Sequence, residues 1–222
     1  MKNKIFNIIV ILSILGSFMF ILTGCGNNDK SSKQNDSNES SSETKKEYSI
    51  ADNDSYYVII NGTRFQAGDK ISSVSKAGLK LKEKNLGESI PKNRYLIAKS
   101  VLNADEKEVC SFIPLNSTDS TIKYEEAVIG GFEVGDINYS KLSEATLALN
   151  VEVAGGIKLG SSLADIENVL GNDYFKFEAE ADEKLKMPSY TTYTYSKGYK
   201  GYKFIVDNSG KVSKISWNDY DE

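Results

Sequence analysis

The chain contains no histidine and only two cysteines among its 222 residues. Without histidine it has no Ser-His-Asp triad, no Cys-His pair and no imidazole ligand for a metal. Two cysteines cannot form a Cys₄ zinc site, and no histidine is present to complete a mixed one. We therefore expect no metal site, no cofactor and no histidine-dependent catalysis.

The chain also has no excess of positive charge, because 27 Lys and Arg residues stand against 31 Asp and Glu residues, for a net charge of −4. A surface that binds nucleic acid needs a basic cluster, and none is present. Neither a Gly-x-Ser-x-Gly motif nor a phosphate-binding Gly-Lys-Ser/Thr motif occurs in the chain. These absences favour a binding protein over an enzyme.

The N-terminus has the pattern of a secretory signal. Residues 1–4 form a short basic head, and residues 5–22 are almost wholly apolar. The run ends at Leu22-Thr23-Gly24-Cys25, which resembles the lipobox of bacterial lipoproteins. The resemblance implies cleavage between Gly24 and Cys25 and a diacylglyceryl group on the Cys25 sulfur. An uncleaved membrane helix is the alternative, since the run is close to the spanning length.

Residues 26–47 contain no hydrophobic side chain and consist mainly of Ser, Asn and charged residues. Such a segment cannot bury enough apolar surface to offset its ordering entropy, so we expect a disordered tether. A flexible chain of this length has a mean reach of roughly 25 Å. We therefore predict a signal peptide at 1–24, a lipidated cysteine and tether at 25–47, and a folded part held at the extracytoplasmic side of the cell membrane.

From residue 48 onward the pattern changes to strands and turns. Asn61-Gly62 lies between two apolar runs and predicts a β-hairpin. Ile71, Val74 and Ala77 then have the spacing of one helix face. The same outline returns at residues 163–169, where Leu163, Ile166 and Val169 have that spacing again; these residues are followed by Gly171.

The repeated outline predicts an α+β fold made of two related modules, 48–135 and 136–222. Each module has a short helix region packed on an antiparallel sheet, and two unrelated amphipathic helices are the alternative. Predicted strands cover 95–102, 109–115 and 127–134 in the first module and 190–195, 199–206 and 212–217 in the second. Residues 146–153 are expected to be extended. Val212 and Ile215 break the two-residue period of a strand, which favours a bulge or a place at the hairpin mouth.

The second module resembles the small α/β module of β-lactamase inhibitory protein and of the small lipoprotein in the outer-membrane barrel assembly machine. The resemblance rests on residues at structural positions: Gly160, Leu163, Ile166, Gly171, Tyr195, Phe204, Gly210, Val212 and Ile215. It implies a protein-binding unit with an open sheet face. The chain lacks the paired domain cysteines of the inhibitory protein, so inhibition of a β-lactamase is not expected.

Five tyrosines lie close together near the C-terminus, and their positions within the predicted strands separate them into two groups. Tyr193, Tyr195 and Tyr202 fall on apolar strand faces and are expected in the core. Tyr190 and Tyr199 lie nearer to strand ends and are the candidate binding surface, because tyrosine is favoured in recognition surfaces. Cys110 is expected to be a small buried apolar residue.

We expect a membrane-anchored, surface-exposed bacterial lipoprotein that binds a protein or envelope component and is not an enzyme. Its membrane partner is the lipid bilayer, through Cys25. One alternative is a carboxylate-based hydrolase of the cell envelope, which needs no histidine. Its candidate acids are the adjacent pairs Asp182-Glu183 and Glu125-Glu126. A solute-binding lipoprotein is the other alternative, although the folded part is small for two lobes around a cleft.

Overall fold

The computed structural model of the protein describes residues 56–198 and 200–219. The signal peptide, Gly24, Cys25, the tether and Tyr199 lie outside the described residues, so the predictions made for them stay predictions. No helix in the described ranges is both long and apolar enough to cross a membrane.

Strands make up most of the regular structure in residues 56–198 and 200–219. There are fourteen of them: β1 (Tyr57–Ile60), β2 (Thr63–Gln66), β3 (Lys80–Leu81), β4 (Ser89–Ile90), β5 (Arg94–Tyr95), β6 (Lys99–Leu102), β7 (Glu108–Asn116), β8 (Ile122–Lys123), β9 (Val128–Gly135), β10 (Val151–Glu152), β11 (Phe175–Ala179), β12 (Tyr190–Lys197), β13 (Lys200–Asp207) and β14 (Val212–Asp219).

Helices in the same ranges are short. The two α-helices are α1 (Glu144–Ala148) and α2 (Leu163–Leu170). The remaining helical segments are 3₁₀ helices: Ile71–Ala77, Glu83–Asn85, Tyr124–Glu126, Tyr139–Lys141 and Ala154–Gly156.

Nine of the described strands form one antiparallel sheet, in the order β11-β12-β13-β14-β9-β7-β6-β3, with β5 also paired to β7. A second sheet of described strands has the order β10-β1-β2, and β4 pairs with β8. Every one of these strand pairs is antiparallel.

The expectation of an α+β fold, in which each of two modules has a short helix region packed on an antiparallel sheet, is wrong. The described residues are 46% strand and only 20% helix, and they are dominated by the large antiparallel sheet. The segment Ile71–Ala77 buries the predicted residues Ile71, Val74 and Ala77, but it does so as a 3₁₀ helix. In addition, β9 and β14, predicted in different modules, hydrogen-bond to each other and share one sheet. Pairing these two strands satisfies backbone groups that each would otherwise expose at a sheet edge.

The predicted boundary at 135/136 coincides with the end of β9 and stays a prediction.

Several local predictions are confirmed. Asn61 and Gly62 form the hairpin turn between β1 and β2, and both have positive φ, at 49° and 79°. The register of β13 and β14 skips Ser213, because Ile205 pairs with Lys214 and Val206 pairs with Val212, so the bulge, one of the two predicted alternatives, is present.

The expectation of an extended 146–153 segment is wrong over its first part. Residues 144–148 form α1, because the Ser143 side chain caps this helix by accepting a hydrogen bond from the Thr146 backbone N–H at 3.0 Å. Only Val151 and Glu152 within that segment form a strand.

The core lies on one side of the large sheet. Phe112 of β7 contacts Phe65 of β2, with ring centroids 5.8 Å apart, and Phe132 of β9, at 5.3 Å. Helix α2 also packs there, since Ile166 is buried and the Tyr195 hydroxyl donates to the Gly171 carbonyl at the helix end, at 3.0 Å. The opposite side of strands β11, β12, β13 and β14 faces away from this core.

Candidate functional site

A groove of about 440 Å³ lies on the side of the large sheet that faces away from the core. We call this surface the open face. It is lined by side chains from β9 and from β11 to β14: Glu133, Phe175, Phe177, Tyr190, Thr192, Thr194, Lys203, Ile205, Lys214 and Ser216.

Strand register places the open-face residues in continuous rows. Phe177 of β11 pairs with Thr192 of β12, and Thr192 pairs with Ile205 of β13. Ile205 then pairs with Lys214 of β14. Side chains of directly paired residues project to the same side of a sheet, so one row crosses four strands. A ligand on this face therefore contacts a regular row of side chains whose positions are fixed by the hydrogen-bonded strands.

Two phenylalanines give the open face its apolar character. Phe175 and Phe177 leave 69% and 53% of their surface exposed, whereas Ile205 leaves only 9%. Large aromatic side chains exposed side by side on a strand are the kind of surface that binding to another protein covers. The apolar part of the face is concentrated at the β11 end of the groove.

The charged part of the open face lies further in. Lys214 pairs with Glu133 across β14 and β9, with Nζ and Oε2 3.2 Å apart. Lys203 of β13 is exposed and has no carboxylate partner among residues 56–198 and 200–219. The face therefore carries one uncompensated positive charge beside its aromatic end.

Of the two tyrosines predicted to form a binding surface, Tyr190 is described. It is half-buried at the start of β12 and lines the groove, opposite Asp207 and Ala179. Its part in binding stays a prediction. Tyr193, Tyr195 and Tyr202 are buried, as expected from their strand parity.

Sequence reasoning did not single out Phe175 and Phe177, although their signal was present. Residues 175–179 alternate aromatic or apolar with charged side chains, which is the pattern of a strand with two different faces. The missing information was the position of the strand, because an end strand of a sheet leaves its aromatic side chains exposed where an inner strand would cover them.

Cys110 of β7 is buried and has no disulfide partner among the described residues, as expected for a packing cysteine. Burial raises the pKa of its thiol to about 12. A groove of about 300 Å³ lies beside it, lined mainly by polar groups. Because a nucleophilic cysteine must ionise near neutral pH, this thiol is not suited to catalysis.

Three of the four adjacent acids considered for hydrolysis, Glu125, Glu126 and Asp182, accept hydrogen bonds from backbone N–H groups. The Glu125 carboxylate accepts a hydrogen bond from the Gly87 N–H at 2.9 Å, which holds the pKa of Glu125 below its ordinary value. Glu126 accepts from the Lys123 N–H at 2.8 Å. Asp182 accepts from the backbone N–H of Lys184 at 2.9 Å. In residues 56–198 and 200–219, no group of three or more Cys, Asp or Glu side chains is placed to hold a metal ion.

Comparisons of the chain with protein-family models, with curated proteins and with solved structures found no match. The resemblance to the inhibitory-protein module and the lipobox assignment therefore stay predictions.

Proposed function

We propose that this protein is a membrane-anchored bacterial lipoprotein that binds another protein through the open face and catalyses no reaction. The observation that carries the proposal is the pair of exposed aromatic side chains, Phe175 and Phe177, over a groove that also presents Lys203. The lipobox-like sequence ending at Cys25 supports the anchor, and residues 26–47 support a tether between the bilayer and the binding unit.

The chemistry of the face defines the partner. An apolar side chain of the partner covers Phe175 and Phe177, and a carboxylate of the partner pairs with Lys203. Burying two aromatic rings supplies most of the affinity, since aromatic anchors dominate protein interfaces, while the single charge contributes orientation and specificity. A protein segment with an apolar residue close to an acidic one fits this arrangement.

A binding role is also supported by how the chemically capable side chains are used. The thiol of Cys110 is buried, and the carboxylates of Glu125 and Glu126 cap backbone N–H groups. Hydrolysis by two carboxylates requires a free acid and a free base facing one cleft. Glu133, on the open face, is already paired with Lys214.

The proposal is tested by photo-crosslinking in the cells that make the protein. A photoreactive amino acid replaces Phe177 in the full chain, and a matched variant carries it at Ile97, which is 80% exposed and does not line the groove. After irradiation, adducts are separated by mass and identified by mass spectrometry. We expect the Phe177 probe to form an adduct with a different protein, and the Ile97 probe not to form it.

A second variant tests whether formation of the adduct depends on the positive charge of Lys203. With the probe at Phe177, Lys203→Glu reverses the charge expected to meet the partner's carboxylate and should weaken the adduct at least severalfold. The proposal fails if the Phe177 and Ile97 probes give the same adducts, or if Phe177 gives none with another protein.

A further inference from the structure

Strand β11 forms one end of the large sheet. Its inner side pairs with β12, and no other strand among the described residues pairs with its outer side. The strand is regular over five residues and contains neither proline nor a bulge, two features that protect sheet ends from further pairing. The other end of the sheet is the two-residue strand β3, which offers much less backbone for pairing.

The side chains of β11 are arranged in a self-complementary way. Phe175, Phe177 and Ala179 share the open face, whereas Lys176 and Glu178 share the other face and form an ion pair, 2.5 Å apart, within the strand. An antiparallel second copy of β11 centred on Phe177 places Lys176 of each copy opposite Glu178 of the other. It also places the two Phe177 rings together at the two-fold axis.

Charge favours the register centred on Phe177 over the two adjacent registers. Two-fold antiparallel pairing keeps each face of the sheet continuous, so the nearest alternatives are centred on Lys176 or on Glu178. The first places Lys176 opposite itself and the second places Glu178 opposite itself, and like charges directly opposite are destabilising. The register centred on Phe177 is also the one that pairs all five residues of the strand.

We propose that the outer side of β11 binds β11 of a second copy of this chain, joining the two large sheets in a symmetric dimer centred on Phe177. A two-fold axis perpendicular to the sheet leaves both open faces on the same side, so Phe175 and Phe177 of the two copies form one continuous aromatic patch. This inference goes beyond the proposed function and does not depend on a protein partner.

The test uses the full chain in a non-ionic detergent and measures its mass by sedimentation over a range of concentrations. We expect a monomer–dimer equilibrium. Lys176→Glu and Glu178→Lys each place like charges opposite one another at two positions, and each should weaken dimerisation roughly tenfold. Lys203→Glu, two strands away from β11, makes the same change of charge as Lys176→Glu and should leave dimerisation unchanged.

Mixing the two weakened variants separates a specific interface from damage to the fold. Neither variant keeps the ion pair within β11, yet between Lys176→Glu and Glu178→Lys every charge meets an opposite one. Differently tagged copies of the two variants should therefore associate with each other about as well as the unchanged chain does with itself. The double variant carrying both substitutions should also recover self-association.

Recovery in the mixture, with weak self-association of each variant alone, supports the proposal. A full chain that stays monomeric at every concentration overturns it, as does dimerisation that is insensitive to both charge reversals. A mixture that does not recover association also overturns it. If a strand of a different protein pairs with the outer side of β11 while the chain itself remains monomeric, the proposal is likewise refuted.

Discussion

The hydroxyl of Tyr202 bonds to both backbone groups of Tyr57. It accepts a hydrogen bond from the Tyr57 N–H at 2.9 Å and donates one to the Tyr57 carbonyl at 3.0 Å. Tyr202 lies on β13 of the large sheet and Tyr57 on β1 of the smaller one, and both are buried. One hydroxyl therefore joins the large sheet to the smaller one, through residues 145 positions apart in the chain.

Tyr202→Phe should destabilise the protein while leaving its fold intact. The ring that stacks on Tyr56 is kept, but two hydrogen bonds to buried backbone groups are lost. We expect the free energy of unfolding to fall by about 1–3 kcal/mol. Urea unfolding followed by circular dichroism measures the change.

Tyr193→Phe is the matched control. Tyr193 lies on the neighbouring strand β12 and is buried, but its hydroxyl has no hydrogen-bond partner among the described residues. Its loss should change the free energy of unfolding by less than about 0.5 kcal/mol. Equal destabilisation by the two substitutions would show that the hydrogen bonds to Tyr57 are not the cause of the destabilisation by Tyr202→Phe.

Asp207 should make stability depend on pH in the acid range. Burial raises the pKa of this carboxyl, but the Ser209 hydroxyl and the backbone N–H groups of Tyr139, Ser209 and Lys211 outweigh it, so the pKa lies below its ordinary value of 3.8. A lowered pKa means that the stabilisation is fully present above the unfolded-state value. It is lost as the pH falls through the folded-state value.

Asp207→Asn should therefore be less stable than the unchanged chain at pH 7, and the difference should narrow as the pH falls below about 4. Urea unfolding at a series of pH values gives both curves. Asp119→Asn is the control, because Asp119 is exposed and has no hydrogen-bond partner within residues 56–198 and 200–219. A constant difference between the Asp207→Asn and unchanged curves at all pH values would contradict the prediction.

Several strand positions were predictable from sequence because alternation is a local property, although the predicted strand 95–102 is divided into the short strands β5 and β6. The predicted strands 109–115 and 127–134 differ from β7 and β9 by at most one residue at either end. Which strands pair is decided by contacts distant in sequence, so the β9–β14 ladder was not predicted. The spacing of Ile71, Val74 and Ala77 identified the buried residues correctly, but it fits a 3₁₀ helix as well as a short α-helix.

In the candidate site, too, features set by the local sequence were predictable and features set by contacts distant in sequence were not. Tyr190 was predicted near a strand end and does line the groove. Phe175 and Phe177 were missed because nothing local in their sequence shows that β11 ends the sheet. Their exposure depends on what lies beside them in three dimensions, and hydrophobic character alone would have assigned both to the core.

Cys110 should resist alkylation in the folded chain. With a pKa of about 12 in place of the ordinary 9.0, the thiol has roughly a thousandfold less thiolate at pH 8, and its burial also restricts access. Mass spectrometry of the Cys110 peptide after iodoacetamide treatment should show little modification until urea unfolds the protein. A cysteine introduced at Ile97, which is 80% exposed, should react in the folded state and serves as the control. Rapid labelling of folded Cys110 would refute the prediction.

Cys25→Ala should abolish lipid attachment and leave an unprocessed precursor. The predicted thioether to diacylglycerol would require the Cys25 sulfur, and two acyl chains give a stable anchor where one gives only marginal binding. Cells expressing the variant should incorporate no labelled palmitate into the protein, and the chain should keep the mass of the precursor. Cys110→Ala removes the other cysteine of the chain and should label as the unchanged protein does. Continued labelling of Cys25→Ala would exclude Cys25 as the attachment site.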